Sequence, residues 1–290
     1  QNGASLSVIK CIANSHNLAI EKRNKKGQLP IHCALQCTKS TLETVQWLLS
    51  QSLPSMETTG NDGKLVLHHA VEKKHSLQIL RALVNAYPDA AKKKNNTGDL
   101  PLHVGATVGL GKARMDLLIQ SFPNAAKIPN NSGLLPIHLA FSGDTIPSLE
   151  CIEVLNAANS NGHLHADNDG QLVLHHAAKN KETSLPIVKY LLSKCASAVT
   201  TLDIVSQRTP LHYATCSSPT PIVIALLEAD PAAALAADKD GLLPLHTLVS
   251  STTATVGSIQ AILDANPNGV NVLTKTGKTP LHLAAQHGAA

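Results

Sequence analysis

The 290-residue sequence contains few aromatic side chains, since phenylalanine, tryptophan and tyrosine together make up only 2% of it. A core or ligand pocket built from rings is therefore not expected, and neither is an RNA-binding sheet on which bases stack. A strong excess of one charge is also lacking, because 24 Lys and Arg face 20 Asp and Glu. The resulting net charge of +4 does not by itself predict a polyanionic partner.

Long hydrophobic runs and paired cysteines are missing as well. The longest apolar stretch, residues 222–237, is interrupted by Glu228, Asp230 and Pro231, and it is shorter than the roughly 20 residues of a membrane-spanning helix. The six cysteines show no CxxC pair and no disulfide-framework spacing, and no signal peptide precedes the chain. We therefore expect an intracellular protein, cytoplasmic first and nuclear second, whose cysteines are small buried groups.

What the sequence does contain is a histidine at a nearly constant interval. Eight of the 15 histidines close phrases such as LPIH, LVLH or TPLH at intervals of 34 to 37 residues: His32, His68, His103, His138, His175, His212, His246 and His282. Seven of these motif histidines follow a glycine by five residues: Gly27, Gly63, Gly98, Gly133, Gly170, Gly241 and Gly277. Gln207 is the exception. A shared period over the whole chain predicts an array of repeats rather than one globular domain.

The phrase around each motif histidine predicts the start of a helix. Glycine permits a positive φ where a turn meets the next element. Proline stands two residues before the histidine in six units, which suits the first turn of a helix, where its missing N–H costs no hydrogen bond. Second apolar segments with spacings of three and four follow, such as LQILRALV at 77–84. Each unit is therefore predicted to be a helix, a short junction, a second helix and an extended connection.

The unit G-x-[TL]-[PV]-[LI]-H-x-[AG], followed by a Leu-rich second helix, resembles the ankyrin repeat over essentially the whole chain. The resemblance implies an all-α repeat solenoid, in which antiparallel helix pairs stack side by side and hairpin-like loops project from them. One array is expected over 1–290, with partial repeats at 1–24 and 275–290 and complete repeats at 25–60, 61–95, 96–130, 131–167, 168–204, 205–238 and 239–274. Because both terminal units are halves, we also expect the chain to be a fragment of a longer protein.

Two departures from the family pattern carry structural predictions. Leucine replaces the usual threonine three residues before the histidine in six units, and only Thr209 and Thr279 keep it. Each motif histidine is therefore predicted to bond backbone groups and to join one repeat to the next. A proline follows the second helix where the family usually has glycine, and it is predicted to end that helix by holding its predecessor extended: Pro54, Pro88, Pro123, Pro231 and Pro267.

Several features imitate catalytic or metal-binding motifs, and each is interpreted as structural. VGATVGLGKA at 104–113 resembles a phosphate-binding loop, but its glycines enclose five residues and Ala113 has no hydroxyl for Mg²⁺. His163 and His165 lie in a loop with no carboxylate cluster to complete a metal site. The neighbouring histidines at 68–69 and 175–176 point about 100° apart on a helix, so each pair offers one ring to an ion. No catalytic residue, metal site or cofactor is predicted.

Function is then expected to lie in binding, because a stack of repeats presents an extended concave face. In ankyrin repeats that face combines the hairpin tips with the exposed side of the first helix. The candidate binding residues are basic hairpin residues and the variable residue after the motif histidine: Lys22, Arg23, Lys25, Lys26, Lys92, Lys93, Lys94, Lys127, His69, His176 and Tyr213. His69 and His176 are expected to be exposed in this groove.

Positive charge is concentrated in the first half of the chain. Residues 1–145 carry 16 cationic and 9 anionic side chains, whereas residues 146–290 carry 8 and 11. Two interpretations stay open for the basic hairpins: solvated loops, or a surface that holds an acidic segment of a partner protein.

The predicted function is a non-enzymatic scaffold for protein–protein interaction. The alternative is a targeting or regulatory array of a larger effector such as a kinase or a channel. Nucleic acid is not expected as a partner, because the basic tips lack interleaved aromatic side chains. Membrane insertion and a small-molecule substrate are not expected either.

Overall fold

The computed structural model describes residues 6–15, 17–51, 57–143 and 145–287, and within these ranges every regular element is helical. Each motif histidine lies in an even-numbered helix, and an odd-numbered helix follows most of them as the second member of a pair. In chain order the α-helices are α1 (Leu6–Ser15), α2 (Pro30–Gln36), α3 (Leu42–Gln51), α4 (Val66–Glu72), α5 (Leu77–Ala86), α6 (Pro101–Thr107), α7 (Lys112–Ser121), α8 (Pro136–Leu139), α9 (Leu149–Ala158), α10 (Val173–Lys179), α11 (Leu185–Lys194), α12 (Pro210–Ser217), α13 (Thr220–Ala229), α14 (Pro244–Val249), α15 (Val256–Ala265) and α16 (Pro280–His287).

The chain forms two compact units. Unit 1 comprises residues 1–140 and 153–159, and unit 2 comprises residues 141–152 and 160–290. In unit 1 the even-numbered helices pack in the order α2, α4, α6, α8, and α3, α5 and α7 pack beside them. In unit 2 the corresponding rows are α10, α12, α14, α16 and α11, α13, α15. First helices thus pack on first helices and second helices on second helices, which confirms the predicted all-α repeat solenoid in each unit.

A tight turn before each first helix needs a residue in the left-handed region. The seven motif glycines all have φ between +73° and +80°, as predicted. At Gly98 a side chain is also excluded by space, because an added Cβ would lie 2.7 Å from the backbone nitrogen of Asn131. Gln207 adopts the same conformation with φ +53°. This conformation is sterically unfavourable for a residue with a side chain, because Cβ comes too close to the following carbonyl oxygen.

Six of these turns are braced by an Asn or Asp side-chain oxygen at their start. In the hairpin at 95–99, Asn95 Oδ1 accepts the backbone N–H groups of Thr97 and Asp99 at 3.0 and 2.8 Å. Asn and Asp side chains favour this arrangement because their oxygen reaches the backbone two residues on. The same role is taken by Asn24, Asn130, Asp167, Asp203 and Asp238.

Within each unit, successive hairpins are joined by one backbone hydrogen bond. In unit 1 an asparagine side chain adds a second bond, as where Asn96 Nδ2 donates to the carbonyl of Asn61 at 2.9 Å. The backbone bonds of unit 1 run from Asn61 N to Lys26 O, Asn96 N to Asp62 O and Asn131 N to Thr97 O, and those of unit 2 from Ile204 N to Asp169 O, Lys239 N to Ser206 O and Lys275 N to Asp240 O. The hairpin tips therefore have a defined spacing.

Prolines end the second helices as predicted. Helix α5 ends at Ala86, Tyr87 leaves the helical region with φ −145° and ψ 84°, and Pro88 begins a 3₁₀ turn over Pro88–Lys92. Proline disfavours the helical region for the residue before it. The same order is found at Pro123, Pro231 and Pro267. Pro54 lies outside the described residues.

The interpretation of residues 104–113 as structural agrees with the fold. Gly105 lies within α6, where an added Cβ would meet Leu110, Met115 and Leu118 at 3.3–3.4 Å. Gly109 makes the junction with φ +65°, and Lys112 begins α7. The glycines of this segment therefore serve close packing and a turn.

The expectation of buried cysteines is wrong for five of the six. Only Cys151 is buried, Cys37 and Cys195 are half-buried, and Cys11, Cys33 and Cys216 are exposed. Cys33 occupies the variable position after the motif histidine of α2, which faces solvent in this repeat. Small size and low polarity therefore did not decide where these side chains lie.

Gln207→Gly is expected to raise the free energy of unfolding by about 0.5–1 kcal/mol, because glycine removes the steric cost of the left-handed conformation. Chemical denaturation followed by far-ultraviolet circular dichroism measures the change. Gly98→Ala is the opposite control, since the same conformation and the contact with Asn131 both disfavour its Cβ. A Gln207→Gly variant less stable than the parent chain would contradict the assignment of strain to this turn.

Candidate protein-interaction surface

Six of the motif histidines start their helix with one ring nitrogen and reach a backbone carbonyl much later in the chain with the other. His68 Nδ1 accepts the backbone N–H of Leu65 at 3.2 Å, and its Nε2 lies 3.1 Å from the carbonyl oxygen of Asp99 in the following repeat. Since Nδ1 accepts, the proton is on Nε2, which donates to that carbonyl. The bond from Nδ1 and a bond from Nε2 to a backbone carbonyl also occur at His32, His103, His175, His212 and His246, which confirms the prediction of backbone bonding for these residues. For His32 and His246 the carbonyl belongs to Thr58 and Val272, at the end of their own repeat.

The remaining two motif histidines keep the bond that starts the helix. The Nδ1 atoms of His138 and His282 accept the N–H of the residue three positions earlier, at 3.2 Å in both cases. Where threonine is retained, its hydroxyl also reaches the ring, as at Thr279 Oγ1, 2.7 Å from His282 Nδ1. Unlike the other motif histidines, His282 is exposed.

Burial keeps the joining histidines neutral. Desolvation lowers the pKa of His32, His68 and His103 in unit 1, and of His212 in unit 2, to about 4. A second ring proton would also point from Nδ1 at a backbone N–H, which is itself a donor. The contacts between repeats therefore depend on the neutral Nε2–H form.

The basic residues predicted to form one surface are divided by the fold. Lys22, Arg23, Lys25 and Lys26, here called the first basic hairpin, are all exposed, and none forms an ion pair with any described residue. The hairpin that contains Asn61 lies between this group and Lys92–Lys94, because Asn61 bonds to one neighbour and Asn96 to Asn61.

The second basic group is partly engaged within the protein. Lys92 Nζ lies 2.7 Å from Asp89 Oδ1, and this hydrogen bond lowers the pKa of the Asp89 carboxyl. Lys94 Nζ donates to the carbonyl of Pro129 in the next repeat at 2.9 Å. Lys93 and Lys127 are exposed. Of the predicted basic residues, those of the first basic hairpin are therefore the most available to a partner.

His69 is buried, so its predicted exposure in the groove is wrong. Only 2% of the residue is accessible, and its ring lies edge-on against that of His32 in the preceding repeat, 5.8 Å between centroids. Its Nδ1 is 3.8 Å from Glu72 Oε2, and its Nε2 has no hydrogen-bond partner among the described residues. Burial lowers the pKa of His69.

His176 is half-buried rather than exposed. Its Nε2 lies 2.8 Å from Oδ2 of Asp167, the residue that braces the hairpin just before α10. Burial raises the pKa of Asp167, but hydrogen bonds from His176 and the Gln171 backbone outweigh this effect and hold that pKa below its usual value. His176 is therefore engaged with the base of its own hairpin.

Tyr213 lies on the first-helix face of unit 2 in a defined orientation. Its hydroxyl donates to Asp203 Oδ2 at 2.9 Å and accepts from Gln171 Nε2 at 3.2 Å. The ring is edge-on to His175, and Lys179 Nζ lies 5.8 Å from its centroid. Burial and the Asp203 carboxylate raise the pKa of Tyr213 to about 12. The half-buried ring is thus held as a rigid aromatic contact.

Sequence reasoning missed the bracing residues Asp167 and Asp203. Both precede the left-handed turn residue, Asp167 by three positions and Asp203 by four. An Asn or Asp at that distance from a turn glycine is a recognisable signal. This signal predicts that the carboxylate accepts hydrogen bonds from the backbone of its own hairpin.

The described residues contain no group of three or more His, Cys, Asp or Glu side chains that could hold a metal ion. His163 and His165 are half-buried around the 3₁₀ turn Gly162–Leu164, and desolvation lowers the pKa of His163. None of the helices described here has both the length and the apolar character needed to cross a membrane.

Stability is expected to fall as the pH is lowered from 7 to 5. The pKa of about 4 in the folded state lies below the unfolded value of 6.5, so the unfolded chain binds more protons in this range. For His32, His68, His103 and His212 the loss at pH 5 is about 2 kcal/mol each. Urea unfolding at the two pH values measures it, and Trp47 fluorescence reports on unit 1. An unchanged midpoint would contradict the neutral-histidine assignment.

Neighbouring histidines of α4 are expected to respond in opposite directions to leucine. His69→Leu should raise the free energy of unfolding by about 1 kcal/mol, because it removes a buried nitrogen without a partner. His68→Leu should lower it by about 2–4 kcal/mol, because the Leu65 N–H and the Asp99 carbonyl both lose their partner. Urea unfolding of both variants at pH 7 measures the two changes in the free energy of unfolding. A destabilising His69→Leu would contradict the assignment of an unpartnered buried nitrogen to His69.

Comparison with known proteins agrees with the geometry. The family model for ankyrin repeats, in three copies, matches residues 1–96 and 145–234. No curated protein matches the chain. Outside the matched ranges, α14 and α15 form the same kind of helix pair behind a glycine turn and a motif histidine. Ankyrin repeats are generally protein–protein interaction modules. The chain belongs to the ankyrin-repeat family.

Proposed function

We propose that this chain is a non-enzymatic scaffold that binds a partner protein, and that the first basic hairpin holds an acidic segment of that partner. The observation that carries the proposal is the set of four exposed cations at residues 22–26 that no described carboxylate pairs with. Only Glu21 is adjacent in sequence. Free cations on neighbouring positions raise the local concentration of an anionic segment and guide its approach.

The other basic residues have a smaller role in this proposal. Lys92 and Lys94 already bond to Asp89 and to the carbonyl of Pro129, so a partner would have to displace those contacts. Lys93 and Lys127 remain as secondary contacts. The hydrogen-bonded hairpin tips support such a surface because their spacing is set before a partner arrives.

We propose an intracellular setting for this interaction, cytoplasmic or nuclear. All six cysteines are free, and Cys11, Cys33 and Cys216 expose their thiols. Exposed thiols are best preserved in a reducing compartment.

A labelled peptide of three Gly-Ser-Glu-Glu repeats tests the charge assignment by fluorescence anisotropy. Replacing Lys22, Arg23, Lys25 and Lys26 together by alanine should weaken binding at low salt by about tenfold or more, because each exposed ion pair contributes about 0.2–1 kcal/mol. Binding to the parent chain should weaken steeply as salt is added.

The matched control replaces four exposed cations of unit 1 outside the hairpins: Lys39, Lys73, Arg81 and Lys112. It removes the same charge, so only a local effect distinguishes the two variants. Equal losses in both variants would mean that net charge alone attracts the peptide. An affinity insensitive to salt would contradict the proposal directly.

A further inference from the structure

Among the described hairpins, the one at 201–206 is distinguished by two apolar residues at its tip, Ile204 and Val205, whereas exposed Leu273 lies before the polar tip of the last hairpin. Leu202, Ile204 and Val205 are 44%, 72% and 54% exposed, whereas the other tips carry polar sequences such as KK, ND, NT and KD. We call residues 201–206 the apolar finger. Adjacent apolar side chains at this level of exposure are the usual mark of a contact surface.

The backbone of the apolar finger is longer than its counterparts and is held firmly. Four positions separate Asp203 from the left-handed residue Gln207, where other hairpins use three. Asp203 Oδ1 accepts the N–H of Ser206 at 2.6 Å. Bonds from Ile204 N to Asp169 O and from Lys239 N to Ser206 O tie the finger to both neighbouring hairpins. The exposed side chains are therefore presented on a preorganised loop.

A cavity of about 420 Å³ opens at the base of the finger. Its lining includes Arg208, Leu242, Thr247 and Ser250, which belong to the repeats 205–238 and 239–274. The backbone N–H of Arg208 donates to Asp203 Oδ2 at 3.3 Å, which connects the finger to the cavity wall.

The Arg208 side chain keeps donors that the protein does not use. Its Nε donates to Asp238 Oδ2 at 2.9 Å, and its two Nη atoms have no hydrogen-bond partner among the described residues. Such a pair of terminal nitrogens matches the two oxygens of a carboxylate. Lys239 and Lys275 are exposed on the next two tips, where Asp240 is also exposed, and Asp169 is exposed on the preceding tip. Lys239 Nζ donates to the carbonyl of Val205 at 3.3 Å, so this cation lies beside the finger.

We propose that the apolar finger and the Arg208 cavity together bind an extended peptide segment of a partner protein, in which a branched apolar side chain stands next to a carboxylate. The apolar side chain packs on Ile204 and Val205, and the carboxylate accepts hydrogen bonds from Arg208. The inference rests on the proposed function as a protein-interaction scaffold, but it uses unit 2 and not the first basic hairpin.

The test starts from a phage-displayed library of random 12-residue peptides selected on the immobilised full chain. Selected peptides should be enriched in Leu, Ile or Val next to Asp or Glu. One of these peptides, labelled and measured by anisotropy, should bind the double variant Ile204→Ser and Val205→Ser about tenfold more weakly or worse, as expected when central contacts are removed. Replacing its acidic residue by the matching amide should also weaken binding.

The matched control is the double variant Val256→Ser and Leu235→Ser, which removes apolar side chains 85% and 59% exposed elsewhere in unit 2. It should bind the peptide within twofold of the parent chain. Urea unfolding of both double variants verifies that they fold equally well. The variant with alanine at Lys22, Arg23, Lys25 and Lys26 should also keep this affinity. Failure of this inference and failure of the proposed function are therefore distinguishable.

Three results would overturn the inference. They are selected peptides without the apolar–acidic pair, equal binding by the two double variants, or an amide peptide that binds as well as the acid. Analytical sedimentation of the chain alone tests whether a second copy occupies the finger. Self-association that Ile204→Ser abolishes would assign the finger to a second copy of this chain and would also overturn the inference.

Discussion

The hydrogen-bonded neutral imidazole is the interaction on which the rest of the structure depends. In one side chain, Nδ1 caps the start of a helix and Nε2–H reaches a carbonyl of the next repeat, as His68 does between Leu65 and Asp99. The spacing between repeats is therefore set by an uncharged group with two fixed roles. Because the hairpins branch from the residues just before these helices, their tips inherit the same spacing.

The two units use this arrangement to present different surfaces. In unit 1 the hairpin oxygens come mostly from asparagine, and cations at the first hairpin stay exposed. In unit 2 they come from Asp167, Asp203 and Asp238, whose carboxylates bond to the backbone and to His176, Tyr213 or Arg208. Three of the eleven acidic side chains in the second half of the sequence are thus engaged within the hairpins. The tip at Ile204 and Val205 adds an exposed apolar surface to this unit.

Local features were predictable because the residues that create them are close in sequence. A glycine five positions before a histidine indicates a left-handed turn, and even the exception at Gln207 keeps that conformation with φ +53°. Proline at the first helical turn, or just after a helix, limits the backbone by its own ring. The period of the histidine phrases likewise predicted the helix pairs and the family. The match of the ankyrin-repeat model to residues 1–96 and 145–234 confirms the family.

The sequence by itself determined the repeat, its turns and the ends of its helices, since each follows from the steric limits of a few adjacent residues. Tertiary structure decided which variable side chains are accessible. His69 and Cys33 occupy the same position in successive repeats, yet one is buried against His32 and the other is exposed. The exposed fraction depends on the neighbour some 35 residues away, and that neighbour's shape is not encoded in the periodic pattern.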